Sequence, residues 1–325
     1  MKFLKNFRYN KAFFLFSFLI ITNVFSAKSI ANNLPAFHDQ LFYNDIAVPW
    51  EKPHEILTDK WGNVIIGAEN SMYIFDGENW NRIPVEGTPV FQRTKGDSIF
   101  VASNKKLWIL LNKDNAGYKL FPLHVDTSLI KGTIHSLAVS NGIILFADDN
   151  NLHWYDDGVH KILTGCPKGS QCYSVTDKFY VYFQGRGVYQ VDEAGIDDYY
   201  TFVPENENAN GILRIHEEKV LVFYKDPVEI YSLSQGEKEK IFQEWWPYYD
   251  KAGLKQVHVS GNKVFIETNQ DITVLDDRGN LEILTRPMND FFSGENIQMT
   301  YHSSGTLWIL HEMGIRSIKY PRIYK

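Results

Sequence analysis

The sequence predicts an all-β protein built from one repeated unit, and three observations support that class. Short, almost unbroken apolar runs recur along the chain, each of them preceded by a polar turn. Beyond residue 55, no helical periodicity lasts longer than a turn or two. Aromatic residues make up 15% of the 325 residues, a bias that is typical of strands.

The apolar runs have the length and composition of strands that are covered on both faces. They are VIIGA (64–68), SIFVA (98–102), IILFA (143–147), FYVYF (179–183), VLVFY (220–224), VFIET (264–268) and LWIL (307–310). One residue of each preceding turn marks the spacing: Gly62, Gly96, Gly142, Asp177, Glu218, Gly261 and Gly305, separated by 34, 46, 35, 41, 43 and 44 residues. A period of about 40 residues is that of a four-stranded propeller blade.

Two further strand-like segments follow most of these runs. The next strands are SMYIF, KLWIL, LHWYD, GVYQV, EIYSL, ITVLD and IRSIK. The outer strands are WNRIPV, YKLFPLHV, HKILT, DYYTFVP, KEKIFQEW and LEILTRP. The last unit lacks an outer strand, whereas QLFYNDIAV (40–48) precedes the first unit.

We therefore predict a seven-bladed β-propeller over residues 40–321, a single domain with four-stranded blades. An N-terminal strand closes the last blade, which removes the free sheet edges that invite aggregation. A β-sandwich or barrel is the alternative, although a single sandwich rarely needs about 28 strands.

Two units carry a more specific pattern. Residues 56–83, ILTDKWGNVIIGAENSMYIFDGENWNRI, contain Asp59, Gly62, Gly67 and Asp76-Gly77 at the spacing of the two-component regulator propeller repeat, which they resemble. Residues 303–321, SSGTLWILHEMGIRSIKYP, are similar to it as well. The resemblance implies a periplasmic, ligand-sensing propeller of Bacteroidetes-type regulators, in which a second propeller, a membrane helix and an output module usually follow. None of these is expected within this chain.

The N-terminus predicts export. Residues 1–31 combine a basic start, an apolar stretch from Ala12 to Phe25 and small residues before cleavage after Ala27 or Ala31. The stretch is shorter than a bilayer span, so we predict a cleaved signal peptide and a periplasmic or secreted protein, with an uncleaved anchor as the alternative. A net charge of −6 argues against a nucleic-acid partner.

The two cysteines, Cys166 and Cys172, lie in CPKGSQC. In an oxidising compartment they could close a small loop, so we predict a disulfide and keep two free thiols as the alternative. No matching pair of Cys or His lies nearby to complete a zinc site. We expect no metal and no cofactor.

The search for catalytic motifs is negative: no nucleophile elbow, zinc-binding helix motif, P-loop or Rossmann glycine pattern is present. Acidic segments at 147–151, 155–158 and 275–280 lack calcium-loop spacing, so we interpret them as turns. We therefore predict a protein that is not an enzyme.

A candidate ligand surface is predicted where the turns after the apolar runs and the connections between blades gather. The segment FQEWWPYYDKAG (242–253) offers aromatic faces suited to sugar rings, or alternatively fills the seam between two blades. Arg186, between two glycines, is the first choice for binding an anionic group. The full predicted set is Trp50, His54, Glu69, Asn70, Arg186, Lys225, Asp226, Trp245, Trp246, Tyr248, His311 and Glu312.

These features predict an exported, sensor-type propeller that binds a small ligand, an oligosaccharide or a peptide, or a partner protein of a membrane signalling system. An extracytoplasmic glycosidase or lyase is an alternative that requires carboxylates to converge in the channel. A structural propeller that docks another protein is a further alternative, which requires an exposed apolar patch.

Overall fold

The computed structural model describes residues 38–43, 52–94, 96–112, 117–175, 177–183 and 186–200, and beyond them the strands given below with residues 304–305. For β1 and for most of the strands after residue 197, only the backbone is described. Asp39–Tyr320 form one compact unit. Met1–His38 and Pro321–Lys325 form the other, of which only His38 lies within the described residues. The predicted signal peptide, residues 1–31, therefore lies outside them.

All regular structure within the described residues is β-strand, arranged in four-stranded sheets. The first sheet contains β2 (Pro53–Thr58), β3 (Val64–Ala68), β4 (Ser71–Phe75) and β5 (Trp80–Pro84). The next contains β6 (Val90–Arg93), β7 (Ile99–Ser103), β8 (Lys106–Asn112) and β9 (Tyr118–Pro122). It is followed by β10 (Ser136–Ser140), β11 (Ile143–Ala147), β12 (Asn151–Asp156) and β13 (Val159–Gly165).

The later sheets have the same order. They contain β14 (Gln171–Val175), β15 (Lys178–Phe183), β16 (Gly187–Asp192) and β17 (Gly195–Tyr200), then β18 (Ala209–Ile215), β19 (Lys219–Tyr224), β20 (Ile230–Ser234) and β21 (Glu237–Lys240). Another contains β22 (Leu254–Ser260), β23 (Lys263–Thr268), β24 (Ile272–Asp276) and β25 (Leu281–Thr285). In the last sheet, β26 (Asn296–His302), β27 (Thr306–His311) and β28 (Gly314–Lys319) are joined by β1 (His38–Tyr43), which lies beside β28.

The predicted all-β class is confirmed, and every apolar run forms the second strand of a sheet. Several boundaries differ from the prediction, among them those of β1 and β17. β1 covers His38–Tyr43 instead of 40–48, and residues 44–48 lie outside the described residues. The outer strand expected at 198–204 is β17, which begins at Gly195, because a turn at Glu193 and Ala194 returns the chain directly after β16.

Neighbouring sheets meet through their first strands. β2 contacts β6, β6 contacts β10, and the same holds for β10 with β14, β14 with β18, β18 with β22 and β22 with β26. β26 in turn contacts β2. The first strands therefore form a closed series, and each sheet runs outward from it.

The apolar core lies between adjacent sheets. Ile65 packs with Phe91 and Val101 of the second sheet, whereas its neighbour Ile66 packs with Trp308 and Leu310 of the last sheet. Successive side chains of a strand point to opposite faces, so a strand between two sheets must be apolar throughout. This explains why the second strands appear in the sequence as unbroken apolar runs.

The repeat residues Asp59 and Gly62 build the turn between β2 and β3. The Asp59 carboxylate accepts hydrogen bonds from the backbone N–H groups of Trp61 and Asn63, both at 2.9 Å, and from the hydroxyl of Tyr118. Gly62 has φ +94°, and a Cβ there would lie 3.4 Å from the His302 ring. The turn thus needs a short acceptor at its start and a glycine near its end.

Candidate functional site

The candidate site lies at what we call the connection end of the sheets. It comprises the turns between second and third strands (69–70, 104–105 and 148–150, with Arg186) and the connections between sheets (85–89, 123–135 and 166–170). Antiparallel strands bring these segments to the same end of each sheet. A backbone hydrogen bond ties each of three turns to the connection leaving its own sheet: Val85 N to Asn70 O at 3.2 Å, Ile134 N to Asn104 O at 2.7 Å and Cys166 N to Asn150 O at 2.8 Å.

Three predicted site residues lie at this end around the first connection. Asn70 has φ +61°, and its side-chain Oδ1 accepts a hydrogen bond from Gly87 N at 3.0 Å. His54 is half-buried, with Nε2 2.7 Å from Pro89 O, and burial lowers the pKa of its imidazole despite that bond. Glu69 is exposed beside Asn70. Asn70 and His54 therefore position the connection, and Glu69 and Asn70 are both exposed beside it.

Arg186 also lies at the connection end and is exposed. Its backbone N–H donates to Phe183 O at 2.9 Å, and its carbonyl accepts the Tyr189 hydroxyl at 3.1 Å. For His311, the last residue of β27, only the backbone is described. The remaining predicted residues lie outside the described residues: Trp50, Lys225, Asp226, Trp245, Trp246, Tyr248 and Glu312.

Glu55, which the sequence pattern did not indicate, is the most perturbed carboxyl near the predicted site. It is half-buried in β2, and its Oε2 accepts a hydrogen bond from Phe91 N of β6 at 2.9 Å. Burial raises the pKa of this carboxyl to about 8, against the smaller opposing effect of the Phe91 bond. Glu55 is therefore largely protonated at neutral pH.

The bond from Phe91 to Glu55 belongs to a recurring arrangement. A first strand is paired on one side only, so alternate N–H groups point away from its sheet. Side chains of the preceding sheet's first strand accept these N–H groups in three places: Ile56 N to Gln298 Oε1 at 2.5 Å, Phe91 N to Glu55 Oε2 at 2.9 Å and Cys172 N to Ser136 Oγ at 2.7 Å. These bonds connect successive first strands and satisfy amides that would otherwise be unpaired.

The acidic segment 147–151 is a turn, as predicted, and it holds the connections on both sides of the third sheet. Asp148 is fully buried, and its Oδ2 accepts Lys131 N at 2.6 Å, while Asp149 Oδ2 accepts Thr133 N at 3.0 Å. Lys168 Nζ of the following connection lies 3.8 Å from Asp149 Oδ1. Burial alone would raise the pKa of Asp148, but backbone N–H bonds from Asn150, Lys131 and Asn151 outweigh it and lower that pKa.

Behind this turn lie two histidines that sequence reasoning did not single out. His153 of β12 is fully buried, stacks on Phe146 at 4.6 Å, and places Nε2 3.1 Å from Asp148 Oδ2. Its Nδ1 lies 3.1 Å from Nε2 of His160 in β13. His160 Nδ1 accepts the backbone N–H of Asp126 at 3.2 Å. In the sequence, this pair is indicated only by the spacing of His153 and His160, which places them on the adjacent strands β12 and β13.

Cys166 and Cys172 are both buried in the apolar cluster between the third and fourth sheets. The structure has them as free thiols, so the predicted disulfide is not formed in it. Burial raises the pKa of Cys166 to about 11 and raises that of Cys172 further. Each thiol packs as an apolar group, which favours the alternative that the sequence left open.

Among the described residues, no group of three or more His, Cys, Asp or Glu side chains could hold a metal ion. Over the same part of the chain, no helix is long and apolar enough to cross a membrane.

Comparison with solved structures gives similar folds at low sequence identity. Virginiamycin B lyase from Staphylococcus aureus, in a catalytically inactive variant with quinupristin, has a TM-score of 0.61 at 15% identity, over 88% of this chain and 100% of that one. The extracellular domain of a hybrid two-component system from B. thetaiotaomicron has a TM-score of 0.61 at 12% identity, over 87% of this chain and 40% of that one. The WD40 propeller domain of Doa1 has a TM-score of 0.58 at 8% identity, over 88% of this chain and 98% of that one.

These neighbours establish the fold as a β-propeller. No family model and no curated protein matches the sequence. The similar proteins include lyases and the extracellular domain of a two-component system, and at these identities they show the fold alone.

Proposed function

We propose that the protein is an exported, ligand-binding β-propeller of the sensor type, with its ligand at the connection end. The observation that carries the proposal is the similarity of fold to the extracellular domain of a two-component system, combined with the repeat-like residues around Asp59 and Gly62. In this proposal, residues 1–31 are a cleaved signal peptide that directs the chain to the periplasm or beyond the cell.

The propeller has seven blades in this proposal, a single domain from 40 to 321. The closed series of contacts between first strands, from β2 through β26 and back to β2, supports that number. So does the position of β1 beside β28, which supplies the last sheet with its fourth strand.

The ligand is an oligosaccharide or a peptide bound by exposed polar groups and by the aromatic segment 242–253. Glu69 and Arg186, both exposed at the connection end, are the described residues that we assign to ligand contact. Trp246 is assigned the stacking contact, because aromatic faces bind the C–H groups of sugar rings.

A glycan array and a thermal-shift screen with peptides test the proposal on the mature protein. Trp246→Ala is expected to remove binding of any ligand found, because the stacking face is lost. Trp61→Ala is the matched control, since Trp61 is 57% exposed in the turn at the opposite end of the first sheet. Equal affinity of the Trp246 variant and the wild type would exclude this segment from the site.

An exported lyase is the second candidate, favoured by the fold similarity to virginiamycin B lyase and by the protonated carboxyl of Glu55. A carboxyl with a pKa near 8 can donate a proton at neutral pH. Turnover of a bound ligand, lost in Glu55→Gln with binding retained, would favour the lyase; binding without turnover favours the sensor.

A further inference from the structure

The connection Leu123–His135 crosses the candidate site between the second and third sheets and is held along its length. Ile134 N donates to Asn104 O, Thr133 N to Asp149 Oδ2 and Lys131 N to Asp148 Oδ2. The part of the connection around Asp126, which we call its outer part, depends on a different contact. This is the bond from Asp126 N to His160 Nδ1 at 3.2 Å. That bond holds the connection to β13 through an ionisable side chain.

One backbone amide sets the hydrogen positions on both histidines. Because Asp126 N–H can only donate, His160 Nδ1 must be unprotonated and the ring hydrogen must be on Nε2. That Nε2–H then donates to His153 Nδ1 at 3.1 Å. The hydrogen of His153 is consequently on Nε2, 3.1 Å from Asp148 Oδ2. Both rings are neutral in this arrangement, and each ring nitrogen lies within 3.2 Å of a polar atom.

A further proton cannot be added without breaking this arrangement. The free lone pair of His160 is at Nδ1, where a second hydrogen would face Asp126 N–H. A proton on His153 Nδ1 would face the Nε2–H of His160, which would have to shift its own hydrogen to Nδ1. Whether the added proton binds to His160 or to His153, the result is a hydrogen on His160 Nδ1. That hydrogen then faces the hydrogen of Asp126 N–H, so the bond between them is lost.

We propose that the pair His153–His160 makes the connection 123–135 sensitive to pH, holding its outer part when both rings are neutral and releasing Asp126 when one proton is taken up. The proposal concerns regulation of the ligand site and rests on the proposed function for its biological meaning. The release of Asp126 on protonation does not require a bound ligand, so it can be measured on the ligand-free protein.

The charged groups around the pair agree with release in mildly acidic conditions. Burial lowers the pKa of both imidazoles below the ordinary 6.5. The Asp148 carboxylate opposes this for His153. For His160, the Asp126 carboxylate, a backbone hydrogen bond with Asp126 and the Asp148 carboxylate oppose it, whereas His153 disfavours a charge on His160. Lys131, the nearby cation on the connection, acts on Asp126. Neutral rings therefore prevail at pH 7, and release is expected only when the pH falls below the ordinary pKa of histidine.

Hydrogen–deuterium exchange of the ligand-free protein tests the proposal. Protection of the amides near Asp126 in the peptide 123–135, corrected for intrinsic exchange, is expected to fall from pH 7 to pH 5, by at most about tenfold per pH unit. Peptides from β3 and β7 should keep their protection over that range. Unchanged protection of 123–135 in the wild type would overturn the proposal.

Three variants distinguish protonation of the pair His153–His160 from other effects of low pH on the protein. His160→Asn places an amide oxygen near the former Nδ1, so protection should persist at pH 5; a pH profile identical to the wild type would overturn the proposal. His160→Ala should lose protection near Asp126 even at pH 7, while the amides of Lys131, Thr133 and Ile134 keep theirs. His124→Asn, an exposed histidine of the same connection, should keep the wild-type profile. Because no ligand is added, these results do not depend on whether the protein is a sensor.

Discussion

At the scale of single residues, Glu55 couples the protonation of one carboxyl to the stability of the fold. Its pKa is about 8 in the native state and near 4.5 when the chain is unfolded. Between these values the native state holds a proton that the unfolded state has lost. Stability therefore falls as the pH rises from 4.5 to 8, by at most about 1.4 kcal/mol per pH unit.

Glu55→Gln should remove this dependence, because a glutamine oxygen can accept Phe91 N–H without ionising. Gln298 makes the equivalent bond to Ile56 N. We expect the variant to exceed the wild type in urea midpoint at pH 8 and to match it near pH 4.5. Glu69→Gln, at an exposed carboxyl, is the control, and parallel pH profiles for wild type and Glu55→Gln would contradict this assignment.

The sequence could place polar residues at the connection end but could not assign their roles. His54 and Asn70 were predicted as ligand contacts, yet their side chains bond Pro89 O and Gly87 N of the first connection. Such bonds depend on which segments meet in space, and polarity in the sequence does not contain that information. Glu55 was missed for the same reason, because its partner lies on the next sheet.

At the scale of elements, the turn 148–150 fits so closely against the connection 123–135 that only glycine can occupy position 132. A Cβ at Gly132 would lie 2.5 Å from Asp149 Cβ, which no rotamer change of Asp149 can relieve. It would also displace the carboxylate that accepts Thr133 N.

We expect Gly132→Ala to lower the free energy of unfolding by about 1–3 kcal/mol, the usual cost of overpacking. Chemical denaturation monitored by tryptophan fluorescence measures it. Gly165→Ala is the matched control, because a Cβ there would meet Asn150 O at 3.6 Å, an ordinary contact. Equal stability of the two variants would show that the connection can move away from the turn.

The sequence indicated the second strands of the sheets more clearly than the first strands. The difference follows from how deeply each kind of strand is buried. β3, β7 and β11 lie between other strands and between sheets, so nearly all of their residues are buried and apolar. The first strand β2 has one unpaired edge and a mixed burial pattern, and it carries Pro53, His54 and Glu55. Because β2 contains these polar residues, it does not appear in the sequence as an apolar run.

At the scale of the whole molecule, the two repeat-like segments at opposite ends of the sequence are in contact. Val64 and Ile66 share an apolar cluster with Trp308, Leu310 and Ile315. The regular period allowed this contact to be predicted, because a closed ring must bring its first and last units together. The ends of β1 could not be predicted to the residue, since only pairing with β28 defines them.

Removal of β1 should leave β28 as an open edge and weaken the closed arrangement. A chain that begins at residue 44 is expected to unfold at lower urea than one that begins at residue 32, and to form oligomers in size-exclusion chromatography. Both chains lack residues 1–31, so only the segment containing β1 differs. Identical midpoints and a monomeric elution for the shorter chain would contradict a stabilising role for β1.

The pairing of β1 with β28 also constrains the order of events during synthesis. β1 leaves the ribosome before every other strand of the propeller, whereas its hydrogen-bonding partner at 314–319 is the last of these strands to emerge. The final sheet can therefore assemble only after translation has passed that point, and it must close a loop that contains all the other strands, a slow step. A chain that stops before residue 314 would lack this step, because β1 would have no partner strand.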